Sequence, residues 1–256
     1  KKMKKIKVLY LITHMDDGGA QRIVLNHLID YKNDDIIDAS LYVLSARTNS
    51  YCNNIIEKEN LNVTYMFNKI KNKYIQGILL RLFGKIKLYF YLKKEKPDII
   101  HTHITPILNF CLTPIKMSDI PIRFNTLHSN PLRFKGITLK TIKKAFAEEK
   151  FIGICITNEQ AKIARHYYNM KNYFVLHNGI DLKKVQNRIV SKKKARAMFG
   201  FNVDDYLIGS VGRLDKIKRY DYLIEIFNSI KKKKNNAKLV IAGDGSEREN
   251  LIKLIE

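Results

Sequence analysis

The chain has 256 residues, 45% of them apolar, with three cysteines and a formal net charge of +23 from 47 basic and 24 acidic residues. That is material for one large domain or two small ones, and three cysteines without paired or metal-type spacing exclude a disulfide scaffold and fit a reducing, cytoplasmic setting. The charge favours polyanionic or phosphorylated partners, although lysines spread over nearly every helix also fit a biased composition, and no run approaches the ~20 apolar residues of a membrane span.

The N-terminus, Lys1–Lys7 followed by Val8–Ile12, imitates a secretory leader. Its apolar run is too short, and His14, Asp16 and Asp17 follow it in place of small residues, so it reads as a first buried strand. From there, apolar runs at 6–13, 38–45, 62–67, 98–103, 121–127, 151–157, 173–177, 206–212 and 237–242 predict strands. Helical patterns fill 19–31, 51–59, 74–94, 105–116, 138–149, 158–169, 191–199, 219–233 and 246–256. Runs such as Lys7–Ile12 and Leu207–Val211 lack period-2 alternation, which implies strands covered on both faces. Alternating strand and helix then gives an α/β fold with a doubly wound parallel sheet. Cys111 and Cys155 lie in apolar runs and read as core residues.

The division predicted is a Rossmann-like unit over 1–182, a basic linker and helix over 183–204, and the opening of a second Rossmann-like unit over 205–256. Seven basic residues and no acid lie between Lys183 and Arg196, where apolar periodicity pauses. Two strands and three helices make a poor independent core, so the second unit is expected to lean on the first or to lack its remainder.

Several segments carry chemistry. In VGRLDKIKR (211–219) a strand empties into a loop with Arg213 and Lys218 ahead of an amphipathic helix. Helix amides and two cations there suit an anionic oxygen, phosphate first. Gly18-Gly19 closes the first strand and opens a helix, letting backbone amides approach a ligand, or forming an ordinary turn. The G-x-G-x-x-G fingerprint is absent, which argues against a nicotinamide or flavin cofactor. His101 and His103, two apart at the end of a strand, share one face at the rim of a cleft. They can hold a metal or order a loop; no HExxH or carboxylate cluster accompanies them. His128 in TLHS sits at another strand end and can touch substrate. Asn178-Gly179 marks a turn leaving the first unit, and Ser246 and Glu249 stand in capping-box spacing.

Taken in order, GGAQR, DIIHTH, TLHS, HNGID, VGRLDKIKR and IAGDGSEREN resemble the large retaining glycosyltransferase family numbered four, of the two-domain GT-B fold. The resemblance implies two Rossmann-like domains facing a cleft, a nucleotide-diphospho-sugar donor, a glycan or lipid-linked acceptor, and a role in cell-surface polysaccharide synthesis. It puts Arg213 and Lys218 on the donor diphosphate with Gly18 and Gly19 near the same phosphates. It places His128 beside the transferring sugar. Gln21, where the family often has Glu, falls on the acceptor side. The resemblance implies no bound metal and no cofactor, so His101 and His103 become structural or supporting residues. Arg219 stands where the family commonly has Gly. The family's second domain is as large as its first, so the chain resembles an enzyme truncated in its C-terminal domain, and weak or no transfer by it alone is expected.

Residues 69–96 hold nine basic side chains against one acid, interleaved with aromatic and aliphatic residues. That pattern suits an anionic membrane surface, giving a peripheral location at the inner face, or an ordinary amphipathic helix. The competing readings are a non-catalytic polyanion- or membrane-surface-binding protein, a nucleotide-sugar epimerase on the same fold, and a metal-dependent hydrolase built on His101 and His103. Nucleic acid is disfavoured, because neither an aromatic RNA-binding signature nor a helix-turn-helix pattern is evident.

Overall fold

A computed structural model describes residues 4–67, 73–187 and 189–255. Lys69 and Lys71 of the basic–aromatic segment and Arg188 of the basic stretch lie outside the described residues. The chain forms two compact units, one reaching to Ile180 and the other starting at Asp181.

The first unit is a seven-stranded sheet of β1 (Ile6–Ile12), β2 (Ile37–Ala46), β3 (Val63–Phe67), β4 (Ile99–His103), β5 (Ile122–Leu127), β6 (Ile152–Cys155) and β7 (Tyr173–Val175). Its order is β3-β2-β1-β4-β5-β6-β7, and every pairing is parallel. The helices are α1 (Gly19–Asp30), α2 (Tyr51–Lys58), α3 (Lys73–Leu79), α4 (Lys85–Glu95), α5 (Leu108–Met117), α6 (Gly136–Ala147) and α7 (Asn158–Tyr167). β1 shows why unbroken apolar runs make this sheet. Val8, Tyr10 and Ile12 pack with Val24, Leu25 and Leu28 of α1 on one face. Leu9 and Leu11 pack on the other, in the cluster that holds Leu88 and Leu92 of α4 and Ile115 of α5. Both faces are covered, so the strand carries no polar stripe. Cys111 and Cys155 are in that second cluster, as their neighbours in sequence suggest.

The helix expected over 74–94 is not uniform. A π-turn at Leu80–Gly84 separates α3 from α4. Gly84 is pressed against its surroundings: a Cβ there would lie 2.9 Å from Leu80 Cδ1 and from Phe110 Cζ of α5. That close packing is a tertiary demand which helical periodicity does not reveal.

The second unit has α8 (Leu182–Gln186), α9 (Lys192–Met198), β8 (Tyr206–Val211), α10 (Tyr220–Lys231), β9 (Ala237–Ala242) and α11 (Arg248–Lys253). β8 and β9 pair in parallel, and Leu214, Tyr220, Ile224 and Leu251 form a small core. The capping box expected from Ser246 and Glu249 does not form. α11 starts at Arg248 with Glu247 as its N-cap and no side-chain cap. The Glu247 amide donates to Leu214 O of the neighbouring loop at 3.0 Å, which ties the start of α11 to that loop.

Candidate functional site

The strand order reverses between β1 and β4, which are hydrogen-bonded neighbours with β2 and β5 on their outer sides. In open parallel sheets the crevice beyond the carboxyl ends of two such strands is where ligands bind. Gly18-Gly19 follows β1 there. Gly18 is the N-cap of α1, with no side-chain cap and no acid in the first turn. The first amides of α1 therefore point out uncapped, as an anion site requires. A Cβ on Gly19 would meet nothing within 4 Å, so a ligand has room against its backbone.

The loop is held from below by α2. Asp17 accepts from the Tyr51 and Cys52 amides at 3.0 Å each, Ser50 donates to Met15 O at 2.7 Å, and Arg22 lies over the Tyr51 ring. Gln21 is buried and its Nε2 lies 3.2 Å from His14 Nδ1. Sequence reasoning passed over Asp17 because its partners lie more than thirty residues away.

His101 and His103 do share a face, with ring centroids 4.3 Å apart. They are not on an open rim, as expected, but buried: His103 is wholly covered. β4 is central in the sheet, and the end of β1 and helix α1 close over it. Tyr10 and His27 complete the cluster, with centroid distances of 5.8 and 6.4 Å to His103. His27 was missed by sequence reasoning. Its signal is the stripe Ala20, Val24, His27, one face of α1. His101 Nε2 lies 2.7 Å from Thr126 Oγ1, and His103 Nδ1 lies 3.0 Å from His128 Nε2. No group of three or more histidines, cysteines or carboxylates among the described residues is arranged to hold a metal ion.

Burial keeps this cluster uncharged. It pushes His101 down to about 3 and His128 to about 4, and it holds His103 well below its ordinary value; neighbouring histidines add to each effect. His128 itself is only partly covered. The loop that carries it is fixed by Gln160 of α7, which donates to Ser129 O at 3.0 Å and accepts from the Ile156 amide at 2.8 Å.

In the second unit Arg213 and Lys218 lie beyond the carboxyl end of β8. Arg213 is 77% exposed, and its Nε donates to Asp215 Oδ2 at 2.8 Å, which aims the guanidinium. Lys218 ends a 3-10 turn (Lys216–Lys218), and Arg219 after it has φ 52° and ψ 43°. This left-handed geometry explains the family's preference for Gly at that position. A cavity of about 310 Å³ beside the loop is lined by Asp215, Lys216, Arg219, Tyr220, Asp221, Glu247 and Leu251. Its three carboxylates give it the wrong sign for a diphosphate, and neither Arg213 nor Lys218 lines it. The loop is braced by its neighbour: Gly212 N donates to Ala242 O at 3.0 Å and Leu214 N to Asp244 O at 2.9 Å. A Cβ on Gly243 would fall 1.9 Å from Gly212 O. Gly243→Ala is therefore expected to break this brace and lower the stability of the unit by about 1–3 kcal/mol, seen as an earlier urea transition. An unchanged midpoint would show that the two loops do not need to touch.

These features define an α/β protein of the Rossmann-like, GT-B glycosyltransferase class, and comparisons with known proteins agree. The model for Glycosyltransferase Family 4 matches residues 56–184, half of the chain, and that for Glycosyl transferases group 1 matches residues 191–256. The chain belongs to Glycosyltransferase Family 4. It is 27% identical over 179 residues to the UDP-Gal:alpha-D-GlcNAc-diphosphoundecaprenol alpha-1,3-galactosyltransferase of Escherichia coli, covering 65% of this chain and 45% of that one. The Anabaena protein HepE, solved with UDP and glucose, superposes with a TM-score of 0.73 at 17% identity, over 98% of this chain and 65% of that one. The UDP-GlcNAc 2-epimerase of Neisseria meningitidis superposes with a TM-score of 0.58 at 16% identity, over 98% and 68%. The fold is thus shared by a second class of enzyme. The chain spans about half the length of the curated relatives it matches.

Proposed function

We propose that this chain serves a glycosyltransferase that moves a sugar from a nucleotide-diphospho-sugar to a glycan or lipid-linked acceptor in cell-surface polysaccharide synthesis. The observation that supports it most is at the carboxyl end of the first sheet. There the Gly18-Gly19 helix start follows β1 at the strand-order reversal and His128 follows β5, against His103 of β4, in a chain matched by two glycosyltransferase models in succession. The E. coli relative is named for a UDP-sugar donor and a diphosphoundecaprenol-linked acceptor, and the HepE structure holds UDP. In the second unit Arg213 and Lys218 suit a donor diphosphate; in the first, Gly18 and Gly19 suit phosphate oxygens and His128 faces a sugar. Gln21 lies on the acceptor side, and His101 and His103 support His128.

The chemistry follows from charge. The bond from the sugar's anomeric carbon to the diphosphate breaks, leaving negative charge on the phosphate and oxocarbenium character on the sugar. Fixed cations and helix amides stabilise that anion. The acceptor hydroxyl bonds to the anomeric carbon on the face the phosphate leaves, and its proton passes to the departing phosphate oxygen. The configuration is thereby retained, without the carboxylate pair of a glycoside hydrolase. Calorimetry with UDP and product analysis with UDP-sugars and a lipid-linked acceptor test the reading. Free sugar epimer as the product would favour the epimerase, and binding of DNA without UDP a polyanion-binding protein.

We also propose that the first unit docks on an anionic membrane surface through α4 and the π-turn before it. Leu82, Phe83, Ile86 and Phe90 are each more than half exposed, and Lys85 and Lys94 beside them face solvent. Large apolar side chains left in water among cations suit a lipid headgroup layer. No helix among the described residues is long and apolar enough to cross a membrane. The protein is expected to sediment with phosphatidylcholine vesicles only when phosphatidylglycerol is included, and Phe83→Asp with Phe90→Asp to abolish this. Sedimentation indifferent to anionic lipid and to salt would refute the proposal.

A further inference from the structure

We infer that His103 fixes the tautomer of His128, so that His128 meets a ligand as a hydrogen-bond donor through Nδ1–H and not as a base. The rings lie edge to edge, their planes 24° apart and centroids 5.2 Å apart, joined by the 3.0 Å contact between His103 Nδ1 and His128 Nε2. Burial keeps both neutral, so one nitrogen donates and the other accepts.

The far side of His103 decides which. Its Nε2 is buried with no hydrogen-bond partner among the described residues, enclosed by Tyr10, His27 and His101. None of these offers it an acceptor. His101 Nε2 is on Thr126, and His27 Nδ1 is buried without a partner of its own, so it makes no bond to His103 Nε2. If His128 donated, His103 would carry its proton on Nε2, leaving an N–H buried without an acceptor. If His103 donates, the enclosed Nε2 is a bare lone pair, the lesser of the two costs, since orphaned buried N–H groups are the rarer defect. The proton of His103 is therefore on Nδ1, and that of His128 is forced onto its own Nδ1.

The backbone supports a positioning role. Ile104, directly after His103, has φ 69° and ψ 95°, a geometry that a β-branched residue rarely takes. Such strain persists where the surroundings over-determine a conformation. Here it turns the chain sharply at the end of β4 while His103 stays in contact with the edge of the His128 ring. His103 is accordingly a positioning residue and His128 the group that touches the ligand. The ligand's identity as a sugar rests on the function proposed above; the tautomer does not.

Long-range proton–nitrogen correlation spectra of the imidazoles test this directly. His128 is expected in the Nδ1–H form from pH 6 to 8. His103→Asn, whose side-chain amide can replace the Nδ1–H donor, should keep that form, and His103→Leu should lose it. With UDP-sugar and acceptor, His103→Leu should lower kcat by roughly tenfold to a hundredfold while UDP affinity stays within about twofold. His103→Asn should recover most of the rate. An Nε2–H signature for His128 in the unmodified protein overturns the inference, whether or not any variant folds. The Nδ1–H signature in a protein that neither binds UDP nor transfers sugar would uphold the tautomer and remove the transferase.

Discussion

Arg213→Ala is expected to weaken UDP binding by about 10- to 100-fold, the effect of deleting one charge-assisted hydrogen bond worth roughly 1.5–3 kcal/mol. The residue is poised for that role by its neighbours. Its guanidinium stands in solvent, so little desolvation opposes ligand binding, yet the 2.8 Å bond to Asp215 limits the rotamers it must give up. Asp215→Asn should therefore cost less than Arg213→Ala, about threefold, by loosening the aim while leaving the cation in place. Lys218→Ala should cost about as much as Arg213→Ala, because a compact ammonium serves a diphosphate as a point charge. Arg213→Lys should restore charge but not the two-pronged geometry and so recover only part of the affinity. Titration calorimetry at fixed salt reads all four. Affinity unchanged in both Arg213→Ala and Lys218→Ala would remove the loop from the donor site and the transferase mechanism with it.

Stability should fall steeply between pH 6.5 and 5, earlier than ordinary acid unfolding. The unfolded chain binds protons on His27, His101, His103 and His128 near pH 6.5. The folded chain refuses them: burial takes His101 to about 3 and His128 to about 4, and lowers His103 and His27. The unfolded state thus holds more protons throughout this window, and stability rises with pH. The contribution is complete above about pH 6.5 and is lost as pH falls toward the folded values. His101, with a folded value of about 3, loses about 2 kcal/mol between pH 7 and pH 5, and His103 adds a loss of the same sign. Carboxylates act later; Asp34, held low by the Ile37 and Ile36 amides, matters only below its ordinary value near 4. Urea unfolding at pH 7, 6 and 5 should show falling midpoints at constant m, and His103→Asn should flatten the slope by about one proton. Equal midpoints at pH 7 and 5 would mean that the histidines are not buried as described.

Much of this was legible because one residue's chemistry decided it locally. Leu9 and Leu11 alternate with Val8, Tyr10 and Ile12 in an unbroken apolar run, and only a strand covered on both faces tolerates that. Gly18-Gly19, Arg213 and Lys218 announce themselves as types of residue in a type of loop. The histidine cluster was half legible. Period 2 put His101 and His103 on one face, yet their burial, the contact of His103 with His128 across 25 residues and the arrival of His27 from a helix follow from strand order. Nor did the spacing of Ser246 and Glu249 show that α11 starts only at Arg248, with the Glu247 amide tied to Leu214 O of a neighbouring loop.

The amino-acid order by itself determined the parallel α/β architecture and the glycine-rich and basic loops at strand ends, since both depend on short-range periodicity and on residue types. Only the tertiary structure decided that β1 lies against β4, that His103 is sealed against the edge of His128 with one nitrogen unpaired, and that Gly84 and Gly243 let neighbouring segments touch. Those outcomes depend on which distant segments become neighbours, and burial then fixes proton positions and backbone strain that no local pattern encodes.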